Sequence, residues 1–195
     1  TATSYVQPDE IQVRLTIHGK SAGVENELLE QAQQQVLAQV GQYYFGSGDD
    51  VSLAQQVVTL LKKKHLHITA AESLTGGLFQ ATICGVPGAS NVFDGGLVTY
   101  APEVKEKLLG VPKETIQKHG VVSAQTAESM AEHCQEQLSA DIGVGFTGVA
   151  GPDDLEGHPA GTVWIGIAYP DHVESFELHL SQKLGRQNIR LQSVQ

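Results

Sequence analysis

The first 50 residues pass from a strand-like to a helix-like pattern of apolar positions. Within 9–18 every second residue is apolar, which is typical of a half-buried strand; these positions are Ile11, Val13, Leu15 and Ile17. From 22 to 40 apolar residues recur about one turn apart, which predicts a helix. The letters YYF at 43–45 predict a short strand, and GSGDD at 46–50 a linker. Residues 1–48 are therefore predicted to be a small α+β module, too short to close its own core.

From residue 51 onward, helix-like and strand-like stretches alternate. The predicted helices cover 51–63, 76–85, 102–109 and 124–139, the last with Ser123 as its N-cap, and a further helix begins near the C-terminus. The predicted strands cover 65–71, 95–100 and 141–146, and a hairpin joins 161–169 to 173–180. Alternation of this kind predicts an α/β domain over 49–195, with three αβα layers. Its sheet is expected to be mostly parallel, with a late antiparallel hairpin.

Polar residues gather where the apolar strands end. The residues concerned are Glu72, Ser73 and Thr75 after the first strand, Tyr100 and Lys105 after the second, and Thr147 and Gly148 after the third. In an open α/β sheet, ligands bind beyond the carboxyl ends of the strands. Three such ends that carry hydroxyls, a lysine and glycines predict one shared site.

Two features could bind an anion. Gly76 and Gly77 precede a predicted helix, whose first N–H groups are unpaired and face an incoming anion; a plain tight turn is the alternative. Arg186 and Arg190 are four residues apart on one helix face and could grip a phosphate, although exposed arginines are common. The stretch GVGFTG at 143–148 fits a dinucleotide-binding spacing, but proline and aspartates follow it instead of a helix, so we reject that interpretation.

Lys105 is the candidate base. A positive charge in the first turn of a helix opposes the helix dipole, and partial burial also favours the neutral amine that a general base requires. A solvated lysine in the stretch KEK is the alternative. Ser73 and Ser90 are the candidate nucleophiles, with a plain N-cap as the alternative for Ser90. Neither S-x-x-K nor G-x-S-x-G occurs, so any serine–lysine pair must be assembled in space.

The amino-acid composition argues against several kinds of binding partner and cofactor. The 195 residues carry a net charge of −10, which argues against general binding to nucleic acid or an anionic membrane. No apolar run approaches the roughly 18 residues of a membrane span. Two cysteines without a regular spacing fit a reducing compartment, so we expect a cytoplasmic protein. The eight histidines lack metal-ligand spacing, and no metal or other cofactor is expected.

Several motifs occur in an order that is similar to the CinA C-terminal domain family. They are AESLTGG, VPGAS, GGLVTYAPEVK, LGV, HGVVS, GFTGVAGPD, PAGTVWIGIA, and GR followed by NIR. The resemblance runs from about residue 51 to 190, and it implies a nicotinamide-nucleotide amidase, which converts nicotinamide mononucleotide to nicotinic acid mononucleotide and ammonia. Residues 1–48 resemble the end of the KH-type middle domain of long family members.

The resemblance also implies roles for individual residues. It makes Ser90 the nucleophile, Lys105 its base, Tyr100 an aid to proton transfer and Ser73 a second active-site serine. It further implies that Arg186, Thr147 and Gly148 line the substrate pocket. From their position at the strand-to-helix corner, Glu72, Thr75, Gly76 and Gly77 are also expected to bind substrate. The phosphate is expected on the helix that Gly76 and Gly77 begin.

Two other functions stay open at this point. The domain could be a catalytically silent nucleotide-binding or scaffold domain of a multidomain CinA protein. The KH-like segment could contact RNA, which the acidic balance and the absence of a G-x-x-G loop in residues 1–48 make unfavourable. The family resemblance favours a homodimer as the assembly.

Overall fold

A computed structural model describes residues 1–6, 10–18, 22–48 and 51–195. The first residue of the predicted strand 9–18 and the last two of the predicted linker 46–50 lie outside these ranges. The described chain divides into two compact units, Thr1–Ser52 and Leu53–Gln195. The sequence placed the boundary between 48 and 49.

The described residues of the first unit form two strands and one long helix. Strands β1 (Ala2–Val6) and β2 (Ile11–Leu15) pair antiparallel, and helix α1 (Ala22–Val40) follows. The prediction missed β1, and its short strand at 43–45 is wrong, because a 3-10 turn over Gly41–Tyr43 leads into a segment outside any strand. An apolar groove lies between β2 and α1. No described residue of this unit is buried, so the segment closes no core of its own.

The second unit is built on a five-stranded sheet in the order β4-β3-β5-β6-β7. The strands are β3 (Ile68–Glu72), β4 (Leu97–Val98), β5 (Ile142–Gly148), β6 (Thr162–Ala168) and β7 (Val173–His179). Strands β4 and β5 run parallel to β3, whereas β6 pairs antiparallel with both β5 and β7. Four of the five strands therefore point the same way, and the last two form the predicted hairpin.

Helices cover both faces of this sheet. They are α2 (Leu53–Lys64), α3 (Leu78–Cys84), α4 (Pro102–Val104, continued by a π-helical turn over Lys105–Leu109), α5 (Lys113–His119), α6 (Ala124–Leu138) and α7 (Gly185–Gln192). Val58 of α2, Ile83 of α3 and Ile189 of α7 pack with one face. Met130 of α6 and Leu109 pack on the other. The predicted three-layer αβα architecture is confirmed.

Glycine allows α6 to lie close to the sheet. A Cβ on Gly145 of β5 would overlap the Ala127 carbonyl of α6, and one on Gly166 of β6 would meet the same carbonyl. Ser123 caps this helix as predicted, because its Oγ accepts a hydrogen bond from the Thr126 N–H at 3.2 Å. The close approach fixes α6 against the middle of the sheet, next to the edge where β3 and β5 end.

No helix of the described ranges is long and apolar enough to cross a bilayer. Within those same ranges, no three side chains of His, Cys, Asp or Glu are grouped so that they could hold a metal ion.

Candidate functional site

A buried serine and a buried lysine meet at the carboxyl end of β3. Ser73 directly follows the strand, and its backbone N–H donates to the Phe146 carbonyl of β5, which fixes its position at the sheet edge. Lys105 begins the π-helical turn and is 1% exposed. Its Nζ lies 2.9 Å from Ser73 Oγ. The serine–lysine pair that the local motifs lacked is therefore assembled in space, with Ser73 as its serine.

The other neighbours of Lys105 Nζ are two backbone carbonyls. Nζ also donates to the carbonyl oxygens of Thr99 at 2.8 Å and Tyr100 at 3.2 Å. Nζ donates to Ser73 Oγ as well, and the Ser73 hydroxyl itself donates to the Tyr100 carbonyl at 3.4 Å. When the amine is neutral, its two N–H donors satisfy the two carbonyls, and its lone pair can accept the Ser73 hydroxyl proton. Burial lowers the pKa of Lys105 from 10.5 to about 8, against an opposing effect of the Glu156 charge. The arrangement thus provides a base beside a hydroxyl near neutral pH.

Glu156 lies in the loop between β5 and β6 and acts on Lys105 through its charge. Its carboxylate accepts hydrogen bonds from the backbone N–H groups of Val121 at 2.8 Å and Val122 at 3.1 Å. The same negative charge raises the pKa of Lys105, which burial lowers more strongly. Sequence reasoning missed Glu156, because nothing in the spacing of residues 105 and 156 connects them.

Tyr100 and Arg186 form a second contact at this edge. The Tyr100 phenol accepts a hydrogen bond from Arg186 Nη2 at 2.7 Å, and Arg186 Nη1 donates to the Gly151 carbonyl at 2.6 Å. The carbonyl of Tyr100, not its phenol, is the group that contacts Lys105. No carboxylate of a described residue forms an ion pair with Arg186, so its charge stays available to an anion.

Glu72 has a structural task that the sequence did not indicate. Its buried carboxylate accepts hydrogen bonds from the N–H groups of Gly77 at 2.9 Å, Phe79 at 3.2 Å and Gln80 at 2.9 Å. These donors are the start of α3, where the phosphate was expected. A phosphate bound there would have to displace a buried carboxylate of the same sign, so the predicted phosphate site at Gly76 and Gly77 is not supported.

Thr147 and Gly148 lie at the end of β5 and hold neighbouring segments. The Thr147 hydroxyl is buried and donates to the Val121 carbonyl, next to the N–H groups that Glu156 binds. A Cβ on Gly148 would lie 2.5 Å from the Thr162 carbonyl, so glycine is needed for the close approach of β6. Both residues therefore fix neighbouring segments at the end of β5.

The turn after Ser73 contains a further arginine contact and an unpaired hydroxyl. Arg190 donates from Nε to the Leu74 carbonyl at 3.0 Å and from Nη2 to the Thr75 carbonyl at 2.7 Å. Thr75 is fully buried, and its hydroxyl has no hydrogen-bond partner among the described residues. The four-residue spacing of Arg186 and Arg190 was visible in the sequence, but their protein acceptors were not.

Ser90 lies at the other end of β3. It belongs to a 3-10 turn, Ala89–Asn91, and is exposed. Two residues later, the Val92 carbonyl accepts a hydrogen bond from the N–H of Ile68, the first residue of β3. Because extended chain from Ile68 to Ser73 spans roughly 16 Å, Ser90 is far outside hydrogen-bond reach of Lys105. The predicted Ser90–Lys105 pair is not formed, and Ser90 instead borders a groove with Cys84 and Phe93.

Known proteins share the sequence and the fold of this chain. The sequence model described as CinA C-terminal domain matches residues 50–195. Proteins named competence-damage inducible protein are 61% identical over 194 residues in Limosilactobacillus fermentum and 45% identical over 195 residues in Lactiplantibacillus plantarum. These matches cover 99% and 100% of this chain but 47% and 46% of the relatives, so the chain spans about half their length.

Solved structures agree with the sequence match. A CinA superfamily protein from Klebsiella pneumoniae is 31% identical, with a TM-score of 0.71, and the match covers 73% of this chain and 88% of that one. A competence/damage inducible protein from Agrobacterium tumefaciens is 35% identical, with a TM-score of 0.70, over 77% of this chain and 92% of that one. The chain belongs to the CinA C-terminal domain family.

Proposed function

We propose that the Leu53–Gln195 unit is an amidohydrolase that converts nicotinamide mononucleotide to nicotinic acid mononucleotide and ammonia. The observation that carries the proposal is the 2.9 Å contact between Ser73 Oγ and the buried Lys105 Nζ, whose pKa is lowered to about 8. A hydroxyl needs an adjacent base to attack an amide carbon, and a lysine acts as that base only in its neutral form.

The reaction divides into two steps. Neutral Lys105 accepts the Ser73 hydroxyl proton while Ser73 Oγ bonds to the carboxamide carbon of the nicotinamide ring. The tetrahedral intermediate then breaks its C–N bond, and protonated Lys105 returns the proton so that ammonia leaves. Water attacks the resulting ester with Lys105 again as base, which releases the carboxylic acid and restores the Ser73 hydroxyl.

Ser73 replaces Ser90 as the proposed nucleophile. Both serines have a hydroxyl, but Ser73 alone of the two contacts Lys105. It is also 8% exposed, so water competes poorly for its hydroxyl, whereas Ser90 is exposed. Burial of this kind strengthens the electrostatic interactions in a site.

The negative charge that develops on the carboxamide oxygen needs hydrogen-bond donors. The backbone N–H groups of Leu74 and Thr75 directly follow the nucleophile, and no acceptor from a described residue binds them. They are the donors that we propose for this oxyanion. The buried Thr75 hydroxyl, unpaired among the described residues, is a further donor in the same turn.

Arg186 is the proposed contact for the substrate phosphate. Its guanidinium is exposed and binds only neutral oxygens among the described residues, those of Gly151 and Tyr100. A planar guanidinium matches two phosphate oxygens, and a phosphate would supply the counter-charge that these neutral groups do not. The Tyr100 phenol, held by Arg186, then lies beside the bound nucleotide.

The test is product formation by the purified chain. Incubation with nicotinamide mononucleotide should release ammonia and nicotinic acid mononucleotide in equal amounts, and Lys105→Met should abolish both. Nicotinamide riboside, which lacks the phosphate, should react with a higher KM. If the folded chain binds the nucleotide but releases no ammonia, the proposed activity is wrong and the domain is a silent binding domain.

A further inference from the structure

Arg190 holds the turn that follows the proposed nucleophile. It extends from α7, which the buried Ile189 anchors to the sheet. Its Nε and Nη2 donate to the consecutive carbonyls of Leu74 and Thr75, and its Nη1 donates to Gln187 Oε1 at 3.0 Å. Each of its three nitrogens therefore has a protein acceptor, which makes Arg190 a support for the turn.

The two carbonyl contacts determine where one backbone N–H points. In a trans peptide the C=O and N–H of the same unit point in opposite directions. Because the Leu74 carbonyl faces Arg190, the Thr75 N–H of that peptide unit points away from the guanidinium. The neighbouring N–H groups of Ser73 and Gly76 are bonded to the carbonyls of Phe146 and Ser73, whereas no described acceptor binds the Thr75 N–H.

The charge of Arg190 also acts on that N–H. No carboxylate of a described residue forms an ion pair with this guanidinium, so its positive charge is not cancelled locally. A charged donor on a carbonyl polarises the whole amide, which makes the N–H of the same unit a stronger donor. The same contact therefore both orients and strengthens the Thr75 N–H.

We propose that Arg190 is a positioning residue for the oxyanion site. It holds and polarises the Leu74–Thr75 amide so that the Thr75 N–H receives the oxyanion formed when Ser73 attacks. The inference rests on the proposed amidase function and adds to it a residue that touches neither substrate nor the reacting atoms.

Activity measurements on Arg190→Ala and Arg190→Lys test the proposal. Loss of one oxyanion donor lowers kcat by about 10²–10³-fold. The kcat of Arg190→Ala should therefore fall by about that factor, with little change in its KM for nicotinamide mononucleotide. Lysine retains the positive charge but lacks the planar guanidinium that donates to two carbonyls at once. The kcat of Arg190→Lys should therefore lie between those of Arg190→Ala and the unaltered chain. Guanidinium ion added at low millimolar concentration should restore part of the Arg190→Ala rate. Gln187→Ala, which removes only the Nη1 acceptor, should leave kcat unchanged.

The amide signals of the turn give a readout that does not depend on activity. In Arg190→Ala, the ¹H and ¹⁵N chemical shifts of Thr75 and Gly76 should move, while those of α6 stay in place. Unchanged shifts would overturn the proposal, as would an Arg190→Ala variant whose KM rises at constant kcat, since that result would make Arg190 a substrate ligand. If the unaltered chain releases no ammonia, the proposed function fails, and the shifts alone decide whether Arg190 positions the turn.

Discussion

At the scale of single residues, Lys105 shows how position changes the chemistry of an ordinary side chain. The sequence pattern predicts that Lys105 lies in the first turn of a helix. Its neutral form was expected from the helix dipole and from partial burial. In the structure, burial is the largest cause of the lowered pKa, and carbonyls of Thr99 and Tyr100 hold the amine. Burial was one of the two predicted causes, and the structure makes it the largest. The role of Lys105 as a base stays a prediction.

The pH dependence of activity should follow Lys105. The base must be neutral, so kcat/KM should rise with pH and level off above a pKa of about 8. The Glu156 charge raises this pKa, so Glu156→Gln should move the rising limb to lower pH. Glutamine keeps an oxygen that can accept one of the Val121 and Val122 N–H bonds, which limits loop disturbance.

Asp154→Asn provides the matched control, because it removes an exposed carboxylate from the same loop. It should leave the pH profile of kcat/KM close to that of the unaltered chain. A rising limb that stays in place in Glu156→Gln, or that moves to higher pH, would contradict the assigned influence of Glu156 on the Lys105 pKa.

The choice between Ser73 and Ser90 marks the limit of sequence reasoning at this scale. Both serines follow apolar stretches and precede helical turns, so local pattern does not separate them. Their positions in the fold differ, because Ser73 follows the carboxyl end of β3 whereas Ser90 lies near the amino end of the same strand. Only the pairing of Ile68 with Val92 reveals that difference.

At the scale of elements, the turn from β3 to α3 combines two tasks. Ser73 faces Lys105, while the preceding residue, Glu72, satisfies three N–H groups at the start of α3. A helix start preceded by two glycines resembles an anion site in sequence. Here the anion is part of the chain, and its charge matches the positive end of the helix.

Glu72→Gln should destabilise the Leu53–Gln195 unit. The amide has one acceptor oxygen, and its NH₂ group would face N–H donors at a fully buried position. Leaving buried donors unpaired costs about 1–3 kcal/mol, so the free energy of unfolding in urea should fall by about that amount. Glu103→Gln, at an exposed position in the first turn of α4, is the control and should change it little. Equal stabilities of Glu72→Gln and the control would show that the carboxylate cap is unimportant.

Elements were predictable where an apolar stripe was long enough to repeat. Helices α1, α2 and α6 were located to within about two residues at each end, as was the hairpin of β6 and β7. Strand β1 was missed because apolar and polar residues do not alternate in its sequence, ATSYV. Helix α5 was missed because Ile116 is its one large apolar residue and none of its residues is buried.

At the scale of the whole molecule, the two units differ in how they bury apolar surface. The Leu53–Gln195 unit has apolar clusters on both faces of its sheet. Among the described residues of the Thr1–Ser52 unit none is buried, and Val13, Val24 and Tyr43 are exposed. Every residue to which we assign a role in the reaction belongs to the second unit.

This difference predicts how the two parts behave when separated. Residues 53–195 alone should keep a cooperative unfolding transition in urea and the same kcat/KM for nicotinamide mononucleotide. Residues 1–52 alone should show no cooperative transition, because a chain without a buried core cannot offset its conformational entropy. A loss of ammonia release on removal of residues 1–52, with the remaining unit still folded, would show that the first unit contributes to the site.

The central claim is that Ser73 is the nucleophile and Lys105 its base. Ammonia release from nicotinamide mononucleotide, measured side by side for Ser73→Ala and Ser90→Ala, tests it most directly. Removal of a catalytic nucleophile lowers kcat by about 10⁶-fold, so Ser73→Ala should lose measurable turnover while Ser90→Ala keeps nearly the full rate. An inactive Ser90→Ala together with an active Ser73→Ala, both folded, would contradict the account.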